Sequence, residues 1–289
     1  MPLVNPTQML QAAREGRYAV GAFNVVDYMT IEAVVRAAEA KRAPVILQTS
    51  SGVVKRFGVP ALVKMARDIA GPAGVPVALH LDHGTDRKVL HEAIACGYPS
   101  VMIDGSKHPF DENVRRTRDV VEEAHAAGVA VEGEVGVVAG VEDDIVIRAD
   151  KAIYTTPEEA IEFQKRTGVD FLAAAIGTAH GFYKVEPKLD IDTLASLRRR
   201  TDFPLVIHGG TGLAEDVVRR LVAEGGSKFN LSTQIKQTYI DAMDQYIQSH
   251  RQEYDILKVL QHALERLVEM IGGYITLLGS EGRCREGLA

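Results

Sequence analysis

The sequence contains no tryptophan and only two cysteines, Cys96 and Cys284, among its 289 residues. Two cysteines so far apart form neither a disulfide framework nor a Cys-type zinc finger. No segment reaches the ~18 consecutive apolar residues of a membrane span, and Met1–Pro6 lacks the basic region and apolar core of a secretory signal. We therefore expect a soluble, cytoplasmic protein without a membrane partner.

The charge balance excludes a further class of function. The 39 acidic residues outnumber the 33 basic ones, which leaves a formal net charge of -6 at pH 7. Such a balance argues against general binding of nucleic acid. A hydrophobic fraction of 46% supports a large core and excludes intrinsic disorder. The composition thus predicts a globular protein of enzyme size.

Short apolar segments alternate with amphipathic segments along the chain, and the apolar side chains of the latter recur every three or four positions. This alternation predicts parallel strands connected by helices. The eight predicted strands are Tyr18–Val25, Pro44–Ser50, Pro76–His83, Ser100–Gly105, Val129–Gly136, Phe171–Gly177, Pro204–Gly210 and Lys228–Thr233.

We predict that these strands close into a (β/α)8 TIM barrel, because the unusual polar residues follow the C-terminal ends of the strands. In a barrel those ends meet at one mouth, whereas an open sheet spreads them along an edge. One domain over residues 1–289 is expected, with a C-terminal helical extension from about 251 to 289. Its helix is predicted over Lys258–Leu278, with an interruption at Gly272–Gly273.

Three of the nine histidines, His83, His180 and His208, lie at the ends of predicted strands. A single histidine in such a place is more often structural than a metal ligand. Three imidazoles at one barrel mouth, however, match the protein ligands of an open catalytic zinc site. His80 lies two residues before Asp82, so we expect it to face the barrel interior as a packing or supporting residue.

Several carboxylates lie near this predicted mouth. Asp82 precedes His83 and is interpreted either as a general acid–base or as a helix N-cap or partner of that histidine. Glu132 and Glu134 alternate along one predicted strand and so share a face, where two buried acids need a partner or a metal. Glu142 belongs to a charged run that, taken alone, is typical of a solvated loop.

Two segments predict a phosphate site. Gly209–Gly212 follows the seventh predicted strand, and Asn230–Thr233 ends the eighth. Barrel enzymes often bind phosphate between these loops and a helix N-terminus, because glycine lets backbone N–H groups approach the anion and hydroxyl groups add donors.

Taken together, these motifs resemble the class II, zinc-dependent ketose-bisphosphate aldolases, which cleave fructose and tagatose bisphosphates. The resemblance runs from Met1 to about Thr238. Its motifs are Gly21–Asn24, Leu79–Gly84, Ser100–Gly105, Val131–Gly136, Gly177–Gly181, His208–Gly212 and Lys228–Thr233.

The resemblance implies reversible cleavage to dihydroxyacetone phosphate and an aldehyde. It implies that His83, His180 and His208 bind Zn²⁺ and that Glu134 contacts the metal in a displaced position. It assigns the proton of the C4 hydroxyl to Asp82 and proton transfer at the dihydroxyacetone phosphate carbon to Glu142. The substrate- and phosphate-binding positions it implies are Asn24, Ser50, Gly181, Lys184, Gly209, Gly210, Thr211, Asn230, Ser232 and Thr233.

The resemblance also implies a monovalent cation, Na⁺ or K⁺, near the phosphate. It further implies a homodimer or homotetramer with contacts through the C-terminal helices. The chemistry is consistent with these residues, because cleavage between C3 and C4 of a ketose needs an electron sink at the C2 carbonyl, and a divalent ion supplies one.

The chain departs from the family pattern in three places. Asp255-Ile256-Leu257 stands where the family has Asp-Pro-Arg, whose arginine reaches the distal phosphate in the neighbouring subunit. Ser232 replaces the usual Asp or Ala, and Ala139-Gly140 replaces Gly-Gly. Loss of a bidentate arginine removes the best partner of a phosphate dianion. We therefore hypothesise a 6-modified ketose, such as a sulfofructose or its 1-phosphate, as an alternative substrate.

Two other functions remain open at this point. A Schiff-base aldolase needs a desolvated lysine at the C-terminal end of a strand, but Lys228 begins its strand and is expected to face the opposite mouth, and Lys184 lies in a loop. A non-catalytic sugar-phosphate-binding or chaperone-like partner subunit would not need Asp82 and Glu142.

Overall fold

Eight parallel strands close into a barrel, as predicted. The computed structural model describes residues 3–142, 145–148, 151–183 and 186–284, with the backbone alone at 141, 142, 145 and 146. The barrel strands are β1 (Val20–Asn24), β2 (Val45–Ser50), β3 (Val77–Gly84), β4 (Ser100–Ile103), β5 (Ala130–Val135), β8 (Phe171–Ala174), β10 (Leu205–Ile207) and β11 (Gly226–Leu231). Parallel pairing of β1 with β11, from Val20↔Lys228 to Phe23↔Leu231, closes the ring.

A second, three-stranded sheet lies outside the barrel. It consists of β6 (Ala139–Glu142), β7 (Ile145–Ile147) and β9 (Ala179–His180), in the order β7-β6-β9. The sequence pattern did not predict these strands, because each has only two to four residues and shows no usable periodicity.

Helices surround the barrel and connect its strands. They are α1 (Thr7–Gly16), α2 (Tyr28–Lys41), α3 (Ser51–Phe57), α4 (Val59–Ala70), α5 (Arg87–Cys96), α6 (Phe110–Ala126), α7 (Pro157–Thr167), α8 (Ile191–Arg200), α9 (Glu215–Glu224), α10 (Thr233–Ser249) and α11 (Ile256–Leu277). Side chains at their N-termini define where several begin: Asp27 and Thr156 form capping boxes, and Asp86 caps α5. None of the described helices has the length and apolarity needed to cross a bilayer.

The lower half of the barrel interior is apolar. Met9 and Leu10 of α1 pack in one buried cluster with inward-facing side chains such as Ala22, Ile46 and Phe171. The backbone N–H of Val4, just before α1, donates to Val77 O at the start of β3. This helix therefore covers the N-terminal end of the barrel, opposite the end where the functional loops of such barrels lie.

The upper half of the interior is polar, because alternate residues of each strand face inward. Along β3, Ala78 is followed on the same face by His80 and then Asp82, and all three are buried. Along β5, Glu132 and then Glu134 succeed Ala130 in the same way. Each step toward the strand ends thus brings more polar groups into the barrel.

The C-terminal helix α11 is continuous, and the interruption predicted at Gly272–Gly273 is wrong. Leu267, Ile271 and Ile275 form its buried stripe, and the helix packs against α2 and α10. Gly272 is buried and faces the side chain of Lys41 on α2. Tertiary burial of the helix therefore outweighs the low helix propensity of this glycine.

Candidate active site

Three imidazoles meet at the C-terminal mouth of the barrel. The ring centroid of His83 lies 4.8 Å from that of His208 and 5.1 Å from that of His180, and the third pair is 5.7 Å apart. One nitrogen from each ring lies within 4.8 Å of the other two. Residues 83, 180 and 208 are thus brought together although about 100 positions separate the first pair.

His83 is aimed at this cluster by a distorted strand end. It has a φ of 46°, in the left-handed region that non-glycine residues rarely occupy, and the register of β3 against β4 shifts between Leu81 and Gly84. Its Nδ1 lies 2.9 Å from Oδ2 of Asp104. This contact leaves Nε2 as the nitrogen that can face a metal ion, which is how carboxylates commonly orient histidine ligands.

His208 is held by a carboxylate from the opposite side. Its Nε2 lies 2.8 Å from Oε1 of Glu132, so that Nδ1 is left to face the cluster. Burial lowers the pKa of the His208 imidazole and thereby favours the neutral form that binds metals. Burial by itself would raise the pKa of Glu132, but the Lys228 ammonium and the His208 hydrogen bond outweigh it and hold that pKa well below its usual range.

His180 comes from the small outer sheet, on β9. Gly140 of β6 pairs with it, and a Cβ at Gly140, which has a φ of 114°, would lie 2.2 Å from His180 O. The Tyr183 hydroxyl accepts a hydrogen bond from Ala179 N at 2.8 Å and donates one to Gly209 O at 2.7 Å. Burial raises the pKa of Tyr183 to about 12, so this hydroxyl keeps its proton.

Glu134 faces the same cluster. Its Oε2 lies 3.4 Å from His208 Nδ1 and 4.0 Å from His83 Nδ1. With His83 and Asp104 it forms a second group whose ligand atoms lie within 4.8 Å of one another. Burial and the charge of Asp104 raise the pKa of Glu134 well above its ordinary value. A cation bound next to this buried carboxylate would stabilise its charged form.

The donor set fits a zinc ion. Among the described side chains, buried His208 Nδ1 and Glu134 Oε2 have no hydrogen-bond partner. Buried polar atoms without partners are costly unless a ligand satisfies them. Two nitrogens bound to zinc at ~2.1 Å are at most about 4.2 Å apart, so small rotations of the rings would complete the site. Three histidines with a carboxylate are a ligand set that zinc prefers.

Asp82 adjoins the histidines but turns to other partners. It is fully buried, and its Oδ2 accepts a hydrogen bond of 2.9 Å from Asn24 Nδ2. The Nε2 of Gln48 in turn donates to Asn24 Oδ1 at 2.9 Å. Oδ1 of Asp82 has no partner among the described residues. The alternative that Asp82 caps a helix is wrong, because Asp86 caps α5.

The expected phosphate-binding positions lie in two segments that a hydrogen bond from Gly210 N to Asn230 O joins. Gly209, Gly210 and Thr211 follow β10, and Ser232 and Thr233 begin α10. Neither Ser232 Oγ nor Asn230 Nδ2 has a hydrogen-bond partner in the part of the chain that is described, and both are buried. The first turn of α10 carries no acidic residue. The N–H groups of that turn and these two donors are suited to an anion.

Of four other expected site residues, the structure places two near the strand ends, and two lie wholly or partly outside the described residues. Ser50 ends β2, pairs in register with Asp82, and caps α3 by accepting from Val53 N. Gly181 follows β9 directly. Lys184 lies outside the described residues. Glu142 ends β6, but its side chain lies outside the described part of the chain.

Sequence reasoning missed several residues that contact the site. Asp104 lies in one of the motifs quoted above, yet its contact with His83 joins positions 21 residues apart. Tyr183 lies two residues after Gly181 of the His180 motif, and this proximity is the only sequence signal for it. Lys228 was wrongly expected at the opposite mouth. It lies fully buried inside the barrel, 2.8 Å from Glu132 Oε2.

Comparisons with known proteins find similarity over nearly the whole chain. The fructose-bisphosphate aldolase class-II family matches residues 4–283. A fructose-bisphosphate aldolase of Geobacillus stearothermophilus is 40% identical over 99% of this chain and 100% of its own length, and a probable fructose-bisphosphate aldolase of Bacillus subtilis is 41% identical over 98% and 100%. The crystal structure of the YdjI aldolase from Escherichia coli K12 matches with a TM-score of 0.87 at 30% identity, over 98% of this chain and 100% of that one. A putative fructose-1,6-bisphosphate aldolase from Coccidioides immitis matches with a TM-score of 0.90 at 28% identity, over 97% and 98%.

Proposed function

Because this chain belongs to the class II fructose-bisphosphate aldolase family and is an aldolase that performs retro-aldol cleavage, we propose that it cleaves a ketose 1-phosphate with an altered group at C6. The products are dihydroxyacetone phosphate and an aldehyde. The observation that carries this proposal is the meeting of three imidazoles beside the buried carboxylate of Asp82.

His83, His180 and His208 would hold a zinc ion, and Glu134 would be a further contact of that ion. When bound, zinc withdraws electron density from the substrate carbonyl and supplies the electron sink that cleavage needs. Asp104 and Glu132 orient two of the imidazoles from outside the cluster. A monovalent cation, Na⁺ or K⁺, lies near the phosphate in this proposal.

Two acids divide the proton transfers. Asp82 takes the proton of the C4 hydroxyl as the C3–C4 bond breaks, through Oδ1, while Asn24 holds Oδ2. Glu142 then returns a proton to the three-carbon fragment, which becomes dihydroxyacetone phosphate. Proton transfer by a positioned carboxyl group contributes about 10²–10⁴-fold to rate.

The anion at C1 binds between the loop after β10 and the start of α10. Ser232 Oγ and Asn230 Nδ2 are the buried donors there. Gly209 has a φ of 67°, and a Cβ at this position would lie 2.4 Å from Ala179 O. Only glycine therefore lets this loop lie against the segment that carries His180. The dihydroxyacetone phosphate half of the family's site is retained.

The opposite end of the substrate differs. Leu257 stands where family members carry an arginine, and 74% of its surface is exposed. An isobutyl group offers no hydrogen bond to a phosphate dianion, whereas arginine offers two. A sulfonate carries one negative charge fewer than a phosphate dianion and depends less on such a partner. This difference supports a 6-sulfonated ketose, such as a sulfofructose 1-phosphate, over a bisphosphate.

The proposal extends to assembly. Ile240, Tyr254 and Ile256 on or beside α10 and α11 are exposed, and burial of such side chains favours association. We propose a homodimer or homotetramer through these helices. Light scattering after gel filtration gives the mass directly, and a monomer at micromolar concentration contradicts this part.

A substrate panel tests the function. Fructose 1,6-bisphosphate, tagatose 1,6-bisphosphate and the 6-sulfonated ketose 1-phosphates are compared by release of dihydroxyacetone phosphate. We expect the highest kcat/KM for a 6-sulfonated substrate. Comparable kcat/KM values for fructose 1,6-bisphosphate and the best 6-modified analogue contradict the altered specificity.

Chelation tests the metal. Activity is measured after treatment with EDTA and again after addition of Zn²⁺, with metal analysis at each stage. We expect loss and recovery of activity. Activity of a protein that metal analysis shows to be free of zinc contradicts the zinc site, and trapping with borohydride indicates a Schiff base instead. A protein that binds sugar phosphates but cleaves none is a non-catalytic subunit.

A further inference from the structure

Lys228 has no role in the chemistry described above, yet it is fully buried inside the barrel. A buried ammonium group is costly unless it is paired and hydrogen-bonded. Its Nζ lies 2.8 Å from Oε2 of Glu132 and donates a hydrogen bond of 2.9 Å to Oδ1 of Asn230. These two contacts lead in different directions, one toward the metal ligand His208 and the other toward the substrate.

The contact with Asn230 determines which way its amide faces. An ammonium group has donors only, so it selects the carbonyl oxygen of the amide and turns the NH₂ group away. That NH₂ group is buried and has no partner among the described residues. Asn230 lies on β11, two residues before Ser232, the N-cap of α10, whose Oγ also has no partner in the part of the chain that is described. The amide thus presents a donor to the place where the anion is expected.

The contact with Glu132 holds the ammonium group in place. Glu132 uses Oε1 for His208 at 2.8 Å and Oε2 for Lys228, and the same Oε2 is 3.4 Å from His80 Nε2. His80 in turn is fixed by Ser100, whose Oγ lies 2.8 Å from its Nδ1. The lysine is therefore supported by a network that leaves it little freedom to change partners.

We propose that Lys228 is a positioning residue that orients the Asn230 amide as a donor to the phosphate of the substrate, with Glu132 as its anchor. This inference rests on the proposed function, because it takes dihydroxyacetone phosphate as the ligand. It assigns Lys228 no contact with the reacting atoms. Its effect on binding must then pass through Asn230.

The test is a double-mutant cycle on binding of dihydroxyacetone phosphate. Lys228→Met alone leaves the charge of Glu132 unpaired and can impair folding, so the main variant is K228M with E132Q, which removes both charges. Binding is measured by calorimetry at zinc concentrations that saturate every variant, as checked by metal analysis. Lys64→Met, at an exposed lysine paired with Asp68, is the control.

We expect the K228M/E132Q variant to bind dihydroxyacetone phosphate about tenfold more weakly, since a charge-oriented hydrogen bond contributes ~1.5 kcal/mol. Steady-state kinetics should show the same factor in KM, with kcat equal to that of E132Q alone rather than that of the wild type, because loss of Glu132 also removes the support of His208, whereas a bond to the phosphate acts equally before and during the reaction. In an Asn230→Ala background the K228M and E132Q substitutions should weaken binding by less than about a further twofold, because the amide that Lys228 orients is already absent.

Three outcomes overturn the inference. The first is unchanged binding in the K228M/E132Q variant, and the second is a loss that multiplies with that of Asn230→Ala. If the variant does not fold, a crystal structure of the wild-type protein with dihydroxyacetone phosphate decides. Asn230 Nδ2 within hydrogen-bond distance of the phosphate in that structure supports the inference. The third outcome that overturns it is a phosphate that Asn230 Nδ2 does not contact. A wild-type protein that binds no dihydroxyacetone phosphate overturns the proposed function as well, whereas equal binding by wild type and variant overturns this inference alone.

Discussion

Asp82 and His83 are consecutive residues whose side chains engage different networks. Asp82 Oδ2 accepts a hydrogen bond from Asn24 on β1, whereas His83 Nδ1 contacts Asp104 after β4. The left-handed backbone at His83 makes this divergence possible. One strand end therefore supplies both the proposed metal ligand and the proposed acid–base, each with its own support.

Replacement of Asp82 should separate catalysis from metal binding. We expect Asp82→Asn to lower kcat by about 10²–10⁴-fold, the usual contribution of a proton-transfer group. The zinc content should stay at the wild-type level, because Asp82 is not one of the clustered ligand residues and its Oδ2 is held by Asn24. Steady-state kinetics and metal analysis measure the two effects. Asp86→Asn, four residues later, is the control, since asparagine caps helices as well as aspartate. A kcat within fivefold of wild type contradicts the role of Asp82.

Removal of the Asp104 carboxylate should weaken zinc binding. Asp104→Asn takes away the negative partner of His83 Nδ1, and loss of such a partner typically costs about 10–100-fold in metal affinity. Competition with a chromogenic chelator measures the affinity. The matched control is Asp170→Asn, because Asp170 pairs with the half-exposed His125 at the same distance of 2.9 Å. Equal zinc affinities for the two variants are incompatible with support of His83 by Asp104.

An arginine at position 257 should shift substrate preference. Leu257→Arg restores the cation that the family places at this site, and a hydrogen bond to a charged group contributes ~1.5–3 kcal/mol. We expect KM for fructose 1,6-bisphosphate to fall by about tenfold, while KM for a ketose 1-phosphate without a second charge changes little. Leu257→Met controls for loss of the leucine side chain. No selective gain for the bisphosphate means that position 257 does not determine the distal specificity.

A methyl group at Gly140 should displace His180. Gly140→Ala places a Cβ about 2.2 Å from His180 O, which the short β6–β9 pairing cannot accommodate. We expect a loss of zinc affinity of at least tenfold, measured by the same chelator competition. Gly168→Ala is the control, since Gly168 also has a positive φ but its Cβ would meet nothing closer than 3.7 Å. Both variants place an alanine at a positive φ, 114° at Gly140 and 78° at Gly168, so the extra loss at Gly140 reports its greater backbone strain together with the clash.

Much of this architecture could be predicted from the sequence. Alternating apolar segments and amphipathic helices imply a parallel sheet, and polar residues at successive strand ends imply closure around one mouth. His83 and His208 follow directly from this reasoning, because each lies at the end of a barrel strand. Glu132 and Glu134 follow as well, since a period of two residues places both inside the barrel.

The partners of these residues could not be predicted in the same way. His180 lies on a two-residue strand outside the barrel, and the hydroxyl of Tyr183 joins that strand to Gly209. Asp104, Lys228 and Gln48 act through contacts across neighbouring or opposite strands. Such contacts depend on the stagger of the strands and on side-chain direction, neither of which leaves a periodic signal.

Periodicity was enough to predict the barrel and its polar mouth, because apolar and amphipathic segments alternate along the chain, and residue type made the three histidines candidate ligands. Only the folded structure shows the supporting contacts: which carboxylate contacts which imidazole, which oxygen of Asp82 is held by Asn24, and which partners the buried ammonium group of Lys228 has. These assignments arise from distances of about 3 Å between residues that are far apart in the chain. A hydrogen bond forms only when two atoms are about that close, and only the packed barrel brings these atoms to such distances.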